Sequence, residues 1–145
     1  MDPLSITTSA ITVATLAAKT CSAFAQLRSI CKTLPGRLHA INNEVADIEV
    51  VCYQVAAVLD ERVWLLPTGH GNTHAHVRQL LRQTNVKLRE LKGIVDQLIT
   101  TCDRSKIAIF AVQAWKREQG RLHALQEDIK TVKCTLNIML GASNS

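Results

Sequence analysis

Three histidines, His70, His74 and His76, form the only cluster in this chain with the look of a metal site. Zinc takes three or four ligands in a fixed geometry, and no cysteine or carboxylate lies close enough in sequence to complete the set. The better reading is a histidine-bearing turn in solvent, with no metal. Carboxylates cluster twice, as Glu44, Asp47 and Glu49 and as Glu127 and Asp128, at spacings expected of solvated helix faces. A di-iron bundle would need repeated Glu-x-x-His pairs, and the chain lacks them. Nor does it hold a nucleophile elbow, a phosphate-binding loop, a dinucleotide glycine pattern or HExxH. No catalytic residue and no cofactor is assigned, and the expectation is a protein that is not an enzyme.

The cysteines point the same way. Cys21, Cys31, Cys52, Cys102 and Cys134 are odd in number, widely spaced and without a CxxC. They read as small buried residues in a reducing, cytoplasmic setting and not as a disulfide framework or redox centre. His39 and His123 stand alone on predicted helices, as surface residues.

What must position these side chains is a helical scaffold. At 145 residues the chain fits one domain, and a domain of this size hides roughly 70% of the surface its unfolded form exposes. Of its residues 47% are hydrophobic and 20% charged, with three prolines and six glycines, which disfavours both disorder and a sheet punctuated by turns. Phe24, Tyr53, Trp64, Phe110 and Trp115 are the whole aromatic set. Leu, Ile, Val and Ala must therefore fill the core, as helix packing permits.

Four periodic segments follow, over approximately 3–32, 35–64, 73–102 and 104–140. Asp2-Pro3 caps the first, in which Ala10, Val13, Ala17, Thr20, Phe24, Leu27 and Cys31 step by threes and fours. Leu38, Ile41, Val45, Ile48, Cys52, Val55 and Leu59 make an unbroken seam in the second. Pro67, Gly69 and Gly71 mark the turn after it. Asn72 or Thr73 caps the third, with its face at Val77, Leu81, Thr84, Leu88, Leu91, Val95, Leu98 and Cys102. The fourth carries Ala111, Trp115, Leu122, Leu125, Ile129, Val132, Leu136 and Met139, and Gly141 is expected to end it. The register of Trp115 favours burial, leaving Lys116 and Arg117 in solvent. The fold class predicted is all-α, an antiparallel four-helix bundle, with a fifth short element if Gln119-Gly120 breaks the last helix. Short links favour sequence neighbours being neighbours in space.

The net charge of +5 is uneven. Residues 34–70 carry a net −3, and residues 71–145 set twelve basic against six acidic groups, so an acidic helix should lie beside basic ones. Nucleic acid is not an expected partner, because acids interrupt the basic residues and no nucleic-acid-binding pattern occurs. Residues 3–18 carry no charge. Asp2 and the missing basic start argue against a signal peptide. Sixteen residues span only about 24 Å of the ~30 Å bilayer core, which argues against a transmembrane helix.

The opening Met1-Asp2-Pro3-Leu4-Ser5-Ile6-Thr7-Thr8-Ser9-Ala10-Ile11, the Leu34-Pro35 start of the second helix, Trp115-Lys116 followed by Leu122 and Leu125, and the closing Lys133-Cys134-Thr135-Leu136-Asn137-Ile138-Met139-Leu140 together carry a likeness. Over nearly its whole length the chain resembles the fungal HeLo-like N-terminal domain of STAND proteins, the NLR-like receptors. The resemblance implies an effector module of innate immunity, heterokaryon incompatibility and programmed cell death. In such modules signalling leads to oligomerisation, exposure of the first helix and permeabilisation of the plasma membrane. That role would fall here on Leu4, Ile6, Ala10, Ile11, Val13, Ala14, Leu16 and Ala17, although this helix has no glycine-zipper repeat. Arg78, Arg82, Lys87, Arg89, Lys92, Lys116, Arg117 and Arg121 would meet anionic headgroups or a partner. Expected partners are other copies of the chain, an anionic membrane surface, and STAND receptor regions or adaptor proteins. The alternative is a non-lytic interaction or regulatory bundle. The chain is expected to be either a stand-alone protein or a domain excised from a longer one.

Overall fold

The computed structural model describes residues 3–30, 37–62, 71–104 and 108–144. They form four α-helices: α1 (Pro3–Ile30), α2 (Arg37–Arg62), α3 (Gly71–Arg104) and α4 (Ala108–Asn144). The all-α, four-helix architecture matches the periodicity. Pro3 opens α1 at the position where a missing N–H costs nothing.

The predicted seams are the core. Ala10, Val13, Ala17, Phe24 and Leu27 of α1 are buried with Ile41, Val45, Ile48, Cys52 and Val55 of α2. Leu81, Leu88, Leu91, Val95 and Leu98 of α3 meet Trp115, Leu122, Leu125, Ile129 and Leu136 of α4 in the same core. Two polar residues sit in the seams. The Thr20 hydroxyl donates to the Leu16 carbonyl at 2.8 Å and that of Thr84 to the Leu80 carbonyl at 2.6 Å, so neither side chain is buried without a partner. Cys31, Leu38, Leu59 and Ala111 lie outside the residues whose side chains are described.

Several expectations are corrected. The alternative of a fifth element at Gln119-Gly120 is the first, because α4 runs unbroken through both residues and the straight helix holds. Nor does Gly141 end that helix, which continues to Asn144. Leu136 is buried, with Met139 and Leu140 packed against the core, so tertiary contact holds the last turns helical past a glycine. The cysteines are not uniformly buried: Cys52 is, Cys21 and Cys102 are half-buried, and Cys134 is exposed.

The arrangement in space also differs from the simplest expectation. Among the described residues α1 touches α2 and α3, and α4 touches α2 and α3, while α2 and α3 face each other across the diagonal. Consecutive helices do reverse direction. Arg28 near the end of α1 meets His39 near the start of α2, and Glu90 and Lys87 of α3 meet Arg121 and Asp128 of α4 in descending order. The pair α1 and α3, by contrast, runs parallel: Thr8 and Ser9 lie beside Leu81 and Arg82, and Thr15 and Lys19 beside Asn85 and Arg89. The bundle is thus two antiparallel hairpins docked side by side, and the chain crosses the diagonal between them.

Candidate functional site

The uncharged start of α1 is mostly core. Ile6, Ala10, Val13, Ala14 and Ala17 are buried, Leu16 is half-buried, and Ile11 is 44% exposed. The side chain of Leu4 lies outside the description. Three of the buried residues are alanines, whose small side chains let the neighbouring backbones approach closely.

The length estimate needs revision. Lys19 does not end the apolar stretch: Ile6–Ile30, 25 residues containing an 18-residue window with a mean hydropathy of 1.2, is long and apolar enough to cross a membrane by length and composition. At 1.5 Å per residue it extends about 37 Å, beyond the ~30 Å hydrocarbon core. Lys19 bounds the uncharged stretch 3–18, but long cationic side chains such as those of Lys19 and Arg28 carry their charges outward along an apolar helix. A core helix of a soluble bundle passes the same test, so this is a capacity and not a location.

The basic residues divide into three groups. Lys87 pairs with Asp128 at 3.0 Å, and Arg121 with Glu90 at 2.9 Å and Glu118 at 3.8 Å, so these two cations fasten α3 to α4. Lys116 and Arg117 are exposed on α4, and Lys92 pairs within α3 with Asp96 at 2.8 Å. Arg78, Arg82 and Arg89 share another face of α3 with Asn85, by spacings of four, three and four. Arg82, Asn85 and Arg89 line a groove against α1. Arg78, one turn earlier, is half-buried, and its Nε and Nη2 are enclosed without a hydrogen-bond partner.

Two features were missed. Lys19 lines the same groove from the α1 side, together with Thr12 and Thr15. Its signal was the spacing Thr8, Thr12, Thr15, Lys19, which puts these residues on one helix face, but nothing in the sequence said that α3 would lie alongside. The second is Glu44. With its side chain 15% exposed it is no solvated carboxylate, since the Lys133 ammonium lies 2.6 Å away, and Asp47 accepts a hydrogen bond from the same ammonium at 3.1 Å. This cluster raises the pKa of Lys133, chiefly through its contact with Glu44, with burial opposing and Asp47 adding to it. An acidic α2 beside a basic α4 was expected, and this is where the two meet.

His39 and His123 are exposed, as expected of helix-surface residues. The Arg28 guanidinium lies 3.2 Å from His39 Nδ1. His76 is exposed, whereas His70 and the side chain of His74 lie outside the described residues. Among the described residues no group of three His, Cys, Asp or Glu side chains could hold a metal. The groups that remain suit packing, membrane capacity and anion contact. No family model matches the chain, and neither a curated protein nor a solved structure matches it.

Proposed function

We propose that the protein is a membrane-acting effector bundle: in its resting, cytoplasmic form α1 is packed against α2 and α3, and on self-association α1 passes to an anionic plasma membrane. The observation that carries this reading is the double character of α1. It is a core element of the bundle, and it also has the length and apolarity of a membrane span.

The energetics support the pairing of these roles. Burial of Ile6, Val13, Phe24 and Leu27 contributes on the order of 10 kcal/mol together, so α1 would not leave for water. A bilayer returns that apolar environment. No ion pair holds α1 among the described residues, whereas α4 is fastened by Lys87–Asp128, Arg121–Glu90 and Lys133–Glu44. Transfer of α1 therefore breaks no interhelix ion pair among the described residues. The resemblance to the HeLo-like domain of fungal NLR-like proteins adds regulated cell death as the setting, with STAND receptor regions or adaptors as upstream partners.

The test is dye leakage from vesicles containing anionic lipid, comparing the full chain with Ile11→Asp, which charges an exposed position of the first segment and leaves its core residues in place, both with and without forced oligomerisation. Leakage that Ile11→Asp suppresses is expected. Sealed vesicles under every condition, with folding intact, would sink the reading.

A second reading rests on α2. Val50 and Tyr53 are 56% and 49% exposed and lie three residues apart on one face, which suits a protein-interaction bundle with no direct action on lipid. Val50→Glu should then abolish partner binding while leaving vesicle leakage unchanged.

A further inference from the structure

The groove between α1 and α3 sets cations against cations. Lys19 of α1 and Arg89 of α3 line one of its two adjoining recesses and Arg82 of α3 the other, all three exposed at the surface, and no carboxylate lines either recess. None of these three side chains has a hydrogen bond or ion pair among the described residues. The contacts of α4 are built differently, for there Lys87, Arg121 and Lys133 each face a carboxylate on the neighbouring helix. Like charges drawn to one groove without a counter-charge repel one another, and an anion between them would turn repulsion into attraction.

The groove also holds an unused acceptor. Asn85 lines both recesses, and its Oδ1 is enclosed without a hydrogen-bond partner. The Thr12 and Thr15 hydroxyls donate to the carbonyls of Thr8 and Ile11 at 2.8 and 2.9 Å, so they present lone pairs to the groove and not protons. The lining therefore offers strong positive charge together with acceptors, and asks for a ligand with anionic oxygens and at least one O–H. A protonated phosphoryl group carries both.

We propose that this groove is a site for a phosphate-bearing ligand, which bridges Lys19 of α1 to Arg82 and Arg89 of α3 and so holds α1 in the bundle. The site lies on the surface used in the membrane-acting reading and deepens it, adding control over when α1 is released. The phosphoryl group can belong to a lipid headgroup or to a soluble molecule. A ligand bound only by the closed bundle at free concentration c stabilises it by RT ln(1 + c/Kd), so the thermal midpoint rises with the logarithm of ligand concentration above Kd.

The probe is inorganic pyrophosphate, titrated into the full chain at constant ionic strength, with heat of binding and thermal midpoint read together. Arg82→Gln with Arg89→Gln is compared with Lys116→Gln with Arg117→Gln, which removes the same charge from the exposed face of α4. Lys19→Gln tests the opposite wall and serves should the α3 pair fail to fold. Saturable binding that raises the midpoint is expected, weakened roughly tenfold or more by the groove variants and unchanged by the α4 pair. Equal weakening in both pairs, or no saturable binding, would overturn the site. Vesicles of phosphatidylcholine with phosphatidic acid separate the two sources. Release of the chain from them by pyrophosphate assigns the groove to a headgroup, and soluble binding without release assigns it to a free phosphate. Pyrophosphate binding with no leakage under any condition leaves the groove standing and removes the membrane reading. Leakage that needs α1, with no saturable pyrophosphate binding, does the reverse.

Discussion

Lys133 of α4 reaches across to α2, placing its ammonium 2.6 Å from the Glu44 carboxylate and 3.1 Å from that of Asp47. The side chains of Lys133 and Glu44 are 19% and 15% exposed, so removing one strands the other in a poorly hydrated site. Lys133→Met or Glu44→Gln should each cost about 1–3 kcal/mol in chemical denaturation. The double variant should cost less than the sum of the two. Additive losses would mean the pair is not coupled.

The same cluster fixes a pH dependence. Lys133 holds its proton more tightly in the fold than its ordinary value of 10.5, so its contribution is fully present below that pH. It is lost as pH rises through the higher, folded value. Alkaline unfolding of the wild type should show a decrement that Lys133→Met lacks.

Cysteine reactivity should separate the four described thiols. Burial pushes the Cys52 thiol up to about 12 and also raises Cys21, where the Glu49 charge adds and Arg28 opposes. Because the thiolate is the nucleophile, iodoacetamide at pH 8 should label the exposed Cys134 in the native protein and spare Cys52 until the chain unfolds. Peptide mass spectrometry reads both sites, and early labelling of Cys52 would contradict its burial.

Leu88 and Leu125 are 0% and 2% exposed in the shared core. Replacing either with Ala should destabilise the bundle by roughly 2–5 kcal/mol, the cost of lost transfer energy plus a cavity. A loss below about 1 kcal/mol in both would place them on the wrong faces.

A substitution at Gly120 should act in the other direction. Gly120 is exposed within α4, and a Cβ built there meets nothing within 4 Å. Gly120→Ala should therefore stabilise the protein by about 0.5–1 kcal/mol through backbone entropy alone. A destabilised variant would indicate a break in α4 at that residue.

Much of this fold was legible as period. The steps from Ile41 to Val55 and from Val77 to Leu98 named the buried face of α2 and α3 residue by residue, because a helix in a bundle has one stripe to bury. What periodicity does not encode is which stripe meets which. The parallel contact of α1 with α3 therefore stayed hidden, and with it the meeting of Lys19 with Arg89. Glu44 was misread for the same reason, since its local spacing is that of a surface carboxylate and only the arrival of Lys133, 89 residues later, encloses it. The end of α4 was misplaced because a glycine is a local stop signal, while Leu136, Met139 and Leu140 just before it pack in or against the core.

The diagonal crossing has a mechanical consequence. Since α2 and α3 do not touch among the described residues, taking α1 away does not leave a smaller closed bundle. It leaves an open trough, with α4 as its floor and α2 and α3 as unbraced walls, joined to that floor by the Lys133–Glu44 contact on one side and by Lys87–Asp128 and Arg121–Glu90 on the other.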